Sequence, residues 1–377
     1  MDLRPSEDQT ALCELIHRIL HENLPAERHR EVEAGETGLD PDLWKRLADA
    51  GGIGAALATD VGGGGLGFLE ACLILEQIGR TAAPLPYLAT VILGALPIDR
   101  FGSPRQRQEL LPPVVAGTTL LTGALADDAR GGLPTGAGVR ARRTDAGWQL
   151  DGEKWFVPAA HVAHRMLVPA RTDGDHPVIL LVDPLAAGVR LTRLDTTAVE
   201  PEFVVGFDAV SVSGQDVLGT PEQGAEILAW TVDRALTALC ALQAGVCAAA
   251  LQLTARHVSE REQFGARIGT FQAVAQRAAD AYIDTEAVTL CARQAAWRLD
   301  EGLPAGTEIA IAKHWAADAG QRVAHAAQHL HGGIGVDTDY PLHRLFRRTR
   351  QIELTLGGSH EHLVRLGDML ADGETES

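Results

Sequence analysis

Three spacings in this chain match patterns that do chemistry in other proteins. Gly62, Gly64 and Gly67 fit the GxGxxG pattern that cradles a dinucleotide diphosphate. No strand pattern precedes them and no βαβ unit surrounds them, so they read as a tight turn into a helix. His329 with His331, and His360 with His362, stand two apart. That spacing does not put two rings on one helix face, and no matching ligand set accompanies either pair. His161 and His164 are better spaced but have no nearby carboxylate or thiol in the sequence. No metal site is expected. No GxSxG or other nucleophile motif occurs. Arg261 lies between Glu260 and Glu262, and Gly332-Gly333 follows a long apolar helical pattern. Taken locally, the first reads as a solvated ion pair and the second as a helix C-cap and turn.

The elements that must position these residues fall into three stretches. Apolar residues at helical spacing mark 8–24, with Leu12, Ile16, Ile19 and Leu20 on one face. Pro41 opens a second helix with Asp40 as its N-cap. A third runs from Phe68 to Arg80, and helical pattern continues to Val115. From Thr118 to Val217 the texture is β: 139–142, 148–150, 163–169, 178–182 and 210–212, separated by turn pairs such as Ala146-Gly147 and Asp151-Gly152. Helical pattern returns from Gly224, with breaks near Gly265, Gly302, Gly332 and Gly357. The expected fold is α+β. An N-terminal helical domain (1–115) precedes a middle antiparallel β domain (116–219) and a C-terminal four-helix bundle (220–377).

Composition narrows the function. The 377 residues carry a formal charge of -17, which repels phosphate backbones and excludes nucleic acid as a partner. The five cysteines, Cys13, Cys72, Cys240, Cys247 and Cys291, sit in apolar helical stretches without a CxxC pair, as free thiols of a reducing compartment do. No basic segment leads into an apolar run at Met1-Asp2-Leu3-Arg4-Pro5. No charge-free apolar run of membrane-spanning length is expected. The expected location is the cytoplasm.

Four segments resemble the acyl-CoA dehydrogenase family, and the resemblance spans nearly the whole chain. They are Arg261 to Val274, with Arg261-Glu262-Gln263-Phe264-Gly265 at its head; His331-Gly332-Gly333-Ile334-Gly335 followed by Tyr340-Pro341-Leu342-His343-Arg344; Asp151 to Phe156; and the glycine-rich turn Val61 to Gly67. The resemblance implies FAD as cofactor, an acyl-CoA substrate, an electron-transfer flavoprotein as electron acceptor, and a homo- or heterotetramer. Arg261 would reach the diphosphate of a neighbouring subunit's flavin, where the planar guanidinium fork suits phosphate, with Phe264 and Gln272 beside it. Gly332 and Gly333 would let backbone approach the diphosphate, with Gln328 and His329 next to them. Phe156, matching the usual tryptophan, would cover the isoalloxazine.

The implied reaction is α,β-dehydrogenation of an acyl thioester. A desolvated carboxylate takes the α-proton, donors at the thioester oxygen stabilise the enolate, and hydride leaves for the flavin. The chain departs from the family's pattern at the base. Leu356, before Gly357-Gly358-Ser359, stands where most relatives have glutamate, leaving only its N–H as a thioester donor. The alternative base position of some relatives falls on Asp233, which, next to Arg234, reads equally as part of a surface or interhelical ion pair. The stretch Ala124 to Gly132 lacks the family's usual Thr-Glu-Pro and Gly-Ser pattern, and Pro158 stands where relatives have a hydroxyl residue at the flavin edge. This combination is similar to actinobacterial steroid-catabolism subunits that form α2β2 tetramers in which one chain lacks the base. The expectation is therefore FAD-dependent dehydrogenation of an acyl-CoA within a tetramer. Two alternatives stand beside it: a non-catalytic subunit that completes a partner's flavin site, and flavin monooxygenation on the same fold.

Overall fold

The computed structural model describes residues 3–197 and 200–372. Six helices lead: α1 (Glu7–Asn23), α2 (Ala26–Ala34), α3 (Pro41–Asp49), α4 (Phe68–Thr81), α5 (Leu96–Phe101) and α6 (Pro104–Val115). A π-helical stretch, Leu88–Ala95, runs directly into α5. Local chemistry fixes several starts. The Ser6 hydroxyl and the Gln9 side chain cap α1 reciprocally. Asp40 accepts from the Asp42 and Leu43 N–H groups at the head of α3. The same carboxylate, 1% exposed, is held by two guanidinium nitrogens of Arg28 at 2.8 Å. Asp40→Ala removes a cap and a bidentate partner together. It is expected to lower stability by about 1–2 kcal/mol, read as a lower urea midpoint with an unchanged slope.

The middle of the chain forms a seven-stranded sheet: β1 (Leu121–Gly123), β2 (Val139–Thr144), β3 (Gly147–Pro158), β4 (Arg165–Thr172), β5 (Pro177–Val182), β6 (Val189–Arg193) and β7 (Glu202–Ser213), in the order β1-β4-β2-β3-β7-β6 with β5 on β4. Two sequence expectations are corrected here. The sheet is mixed, because β4 runs parallel to both β1 and β2. Asp151-Gly152 is not a turn; it lies inside β3, where Gly152 (φ +132°) sits at a register shift against β7. A glycine in a bulge and a glycine in a hairpin turn look alike in sequence. A second register shift, between Lys154 and Val157, puts Phe156 at φ +49°.

The C-terminal part comprises α7 (Gly224–Glu260), a two-strand hairpin β8 (Glu262–Gln263) and β9 (Ala266–Arg267), α8 (Gln272–Asp300), α9 (Gly306–His331), α10 (Leu342–Leu354) and α11 (Ser359–Ala371). Helix α7 is the axis of the molecule, packed against α4, α8, α9 and α10. It crosses α4 closely: a Cβ on Gly79 would lie 2.2 Å from the Leu242 carbonyl oxygen, and one on Gly245 would lie 1.9 Å from that of Glu76. Only hydrogen fits at either point. One further expectation fails. Residues 235–255 contain no charged residue. The helical stretch Pro221–Glu260 is long and apolar enough to cross a membrane, and 72% of its most apolar window is buried in the fold. Its apolarity is used for helix packing.

The GxGxxG decoy resolves plainly. A short 3-10 turn, Thr59–Val61, precedes Gly62, and Gly67 caps α4. Asp300 of α8 accepts from the Phe68 N–H at 2.5 Å, so a carboxylate already occupies this helix N-terminus.

Candidate active site

A cavity of about 240 Å³ opens where α4, the π-helical stretch, β3, α7 and α10 converge. Leucines from four of these segments line it: Leu75 on α4, Leu88 and Leu93 on the π-helical stretch, Leu239 and Leu242 on α7, and Leu354 on α10. Phe156 and Pro158 enter from β3, and Leu356 from the turn after α10. Phe156 and Leu356 therefore line the same cavity.

The Leu356 turn is held tightly. Leu356 is 5% exposed and sits at φ +57°, a left-handed conformation that costs a leucine about 1 kcal/mol or more. Lys313, fully buried on α9, donates from Nζ to the carbonyls of Ile352, Glu353 and Gly357 at 2.9–3.2 Å. Burial lowers this ammonium to about 8. His362 of α11 donates from Nε2 to the Leu356 carbonyl at 2.9 Å. The Gly357 N–H donates to the Gly131 carbonyl. Among the described residues the Leu356 N–H has no acceptor. A free donor thus stands at the cavity wall, on a residue that cannot take a proton.

Asp233 does not reach the cavity. The α7 residues that line it are Ala235, Leu239 and Leu242, spaced i, i+4 and i+7. Asp233 lies two residues earlier, about 200° away around the helix at 100° per residue. Its carboxylate faces Arg365 of α11 at 3.7 Å. Burial raises its pKa, and the guanidiniums of Arg365 and Arg234 oppose that rise. Arg234 instead stacks on Trp230, 3.6 Å from the ring centroid. In this geometry Asp233 forms an interhelical ion pair, with Arg365 of α11 as partner.

The cavity does contain carboxylates, which motif reading missed. Glu200 and Glu202 flank Pro201 at the head of β7, and both line the cavity with Arg348 and Gln351 of α10. Arg348 donates to Glu200 at 2.6 Å and to the Gln351 side-chain oxygen at 3.0 Å. Gln351 donates to Glu202 at 2.9 Å, and the Thr196 hydroxyl donates to the same carboxyl at 3.2 Å. Burial raises the pKa of Glu202 despite these donors. The one available signal was two glutamates around a proline at a strand start, which alone does not point inward.

The remaining candidates gather elsewhere, at the far end of the bundle. From Leu242 to Glu260, α7 rises about 27 Å, leaving the β8–β9 hairpin well away from the cavity. There Phe264 is 94% exposed at φ +55°, touching Phe271 edge-on. Arg261 is exposed and forms no ion pair among the described residues, so the solvated-pair reading does not hold. Gln272 is exposed at the first turn of α8. His257 of α7 stacks on His331 of α9 with centroids 4.4 Å apart, which brings the Gly332-Gly333 turn to the same end. Gly332 has φ +65°, and a Cβ on either glycine would meet nothing within 4 Å. Gln328 donates to the Gly332 carbonyl, and His329 is exposed beside it.

A flavin dinucleotide fits these two regions differently. The bundle end offers unpaired guanidinium, an open glycine turn and an exposed ring, which suit a diphosphate and flavin held across a subunit boundary. The cavity does not suit a flavin held by this chain alone. The Pro158 carbonyl already accepts the Thr122 hydroxyl at 2.6 Å, and Pro158 has no N–H to donate. In the neighbouring loop Asp127 is bound to buried Lys154 at 2.5 Å, and Asp128 to Arg130. These carboxylates offset the charge of Lys154 and Arg130, the two cations nearest that loop.

Helices before and after a mixed sheet, an apolar cavity where helices meet β3, and an open glycine turn at the bundle end define one class of enzyme. The chain belongs to the acyl-CoA dehydrogenase family of flavoprotein oxidoreductases. Its residues 6–118 match the acyl-CoA dehydrogenase N-terminal domain, and residues 222–368 match the C-terminal domain. The chain is 38% identical over 382 residues to acyl-CoA dehydrogenase FadE27 of Mycobacterium tuberculosis, covering 99% of each. Among solved structures it is similar to the ChsE4-ChsE5 complex from Mycobacterium tuberculosis, with TM-score 0.93, 38% identity and all of both chains covered. It is also similar to a variant of the Tcur3481-Tcur3483 steroid ACAD, with TM-score 0.91, 41% identity, and 98% of this chain and 99% of that chain covered.

Proposed function

We propose that this chain is the flavin-completing, base-less subunit of a heterotetrameric acyl-CoA dehydrogenase acting on a bulky acyl thioester. The observation that carries the reading is a division within the molecule. The cavity presents Leu356 where a proton acceptor is needed and turns Asp233 away from it. The bundle end presents Arg261, Phe264 and the glycine turn to something outside the chain. A second family chain would supply the base and most of the flavin site. FAD there would supply the acceptor for hydride, and electrons would pass to an electron-transfer flavoprotein. The bulky substrate follows from the similarity to the steroid-type assemblies. The free thiols favour a reducing compartment, the cytoplasm.

The test is the visible spectrum of the purified chain, alone and co-expressed with a second family chain that carries the glutamate. Alone it should be colourless; together the complex should be yellow at about one FAD per two chains. A lone protein that binds stoichiometric FAD overturns the reading. In the yellow complex, Asp233→Ala should leave kcat/KM within about two-fold, because surface and half-buried ion pairs contribute little to chemistry they do not touch. A loss of a hundred-fold or more would make Asp233 the base after all.

A further inference from the structure

Helix α8 carries two faces of low polarity, and the fold of one chain uses only one. Ala281, Thr285, Val288 and Ala292 turn into the bundle and are buried. About 120° further round, at 100° per residue, runs a second stripe. It consists of Phe271 at the N-cap, then Ala275, Ala279, Tyr282, Glu286 and Leu290. All six are exposed, Tyr282 by 56% and Leu290 by 50%. A stripe about 100° wide is what a helix presents to a packed neighbour, and a contiguous exposed apolar face marks an interaction site. Its steps are 4, 4, 3, 4 and 4 residues, the same read from either end. Such a palindrome suits one partner in particular. Where two identical helices cross antiparallel on a two-fold axis, residue i faces j and j faces i. With the axis midway between Asp280 and Ala281, Phe271 faces Leu290 of the second copy, Ala275 faces Glu286, and Ala279 faces Tyr282. The two inner pairs each set a small side chain against a large one, as close-packed surfaces do. The charges are also compatible. Glu286 is the only charged residue in the stripe, and it meets an alanine. It lies about 16 Å along the helix from its own copy, beyond the roughly 8 Å Debye length at physiological salt. The stripe is continuous with the bundle end, where Phe264 touches Phe271 edge-on.

We infer that the outer face of α8 docks a second copy of this chain, antiparallel and across a two-fold axis, with Ala279 of each copy against Tyr282 of the other. An unlike partner would need no palindrome. In the proposed heterotetramer this contact joins the two halves, so that a pair of these chains forms the core and each catalytic chain attaches outside it. The inference goes beyond the proposed function and stands apart from it, since it uses neither the absent base nor the flavin.

The full-length chain, and its complex with the catalytic chain, are weighed by analytical ultracentrifugation over a dilution series, with flavin content read on the same samples. The lone chain should be a dimer, and the complex should hold two of each chain. Ala279→Tyr sets tyrosine against tyrosine, and Tyr282→Ala leaves alanine against alanine. Each should raise the concentration of half-dissociation of the lone dimer about ten-fold or more, as contacting residues in a packed interface do. The swap Ala279→Tyr/Tyr282→Ala restores one large and one small residue at each crossing, and should return that concentration to within about three-fold of the wild type. Only a contact of the chain with itself is repaired in this way. Ala279→Glu puts a charge into the apolar contact and should halve the mass of the complex while its flavin stays bound. Both positions are exposed within the chain, so folding is not at stake, and circular dichroism checks it. A monomeric lone chain, masses unmoved by the single variants, or a swap no better than either single variant overturns the inference. Loss of the catalytic chain and its flavin on Ala279→Glu would assign the stripe to the unlike chain and overturns it too. A lone chain that is yellow and dimeric would sink the proposed function and leave this inference standing.

Discussion

Arg261→Ala in the assembled complex is expected to weaken flavin retention by about 10- to 100-fold, while the same change in the isolated chain does nothing measurable. The magnitude follows from one charge-assisted hydrogen bond to a phosphate, about 1.5–3 kcal/mol. The contrast follows from position. Arg261 stands at the C-terminal end of α7, exposed and with no carboxylate partner among the described residues, about 27 Å along that helix from the cavity. Its loss removes nothing the chain uses to fold. Equilibrium dialysis of the complex against flavin-free buffer, with dissociated FAD read by its fluorescence, measures the effect. Arg261→Lys should recover part of it, since the charge returns but the fork does not. Phe264→Ala should add a smaller loss, because the ring is 94% exposed within the chain and can be buried only by another molecule. Full flavin retention by Arg261→Ala would mean that the bundle end serves assembly rather than the cofactor.

How legible this was depended on the range of the interactions. Asp40-Pro41, Ser6 with Gln9, and the helical periodicity of α1 and α4 are local, and the structure follows them within a residue or two. The bundle-end residues carried a family motif, so their gathering was foreseeable even though the His257–His331 stack that joins two of the segments was not. The misreadings have specific causes. Asp151-Gly152 is a bulge because β7 pairs along the whole of β3, a partner 50 residues away that a local turn signal ignores. Resemblance placed Asp233 at an alternative base position and left an ion pair equally open; helical phase decides which α7 residues face the cavity, and Ala235, Leu239 and Leu242 have that phase. The Glu200–Arg348–Gln351–Glu202 network joins residues about 150 positions apart. Neither half has a recognisable spacing, so only the packed molecule reveals that two carboxyls and a guanidinium share one cavity wall.

Acid should unfold this protein in a window set by two buried histidines. His29 is 8% exposed and His362 is fully buried; burial lowers each from 6.5 to about 4. Among the described residues the Nδ1 of each has no hydrogen-bond partner, and on His362 Nε2 already donates to Leu356, so a second proton would sit on a buried nitrogen with nothing to receive it. The direction follows from proton counting. Between pH 4 and 6.5 the unfolded chain binds protons on these rings and the folded chain does not, so stability rises with pH across that window and is lost as pH falls. At 1.36 kcal/mol per pH unit each histidine costs about 3 kcal/mol once pH reaches the folded value, a large share of the roughly 5–15 kcal/mol typical of a domain. Glu202, Asp233 and Asp300, all raised by burial, act the other way and gain as pH falls through their folded values. The variants therefore isolate the histidine contribution better than the wild-type curve alone. Urea midpoints from about pH 7 to 4 should fall steeply for the wild type. His362→Gln keeps a donor to the Leu356 carbonyl and removes one titrating group, so its curve should be shallower by about half the histidine effect. A slope unchanged by His362→Gln and by His29→Asn would show that neither ring stays neutral in the folded chain.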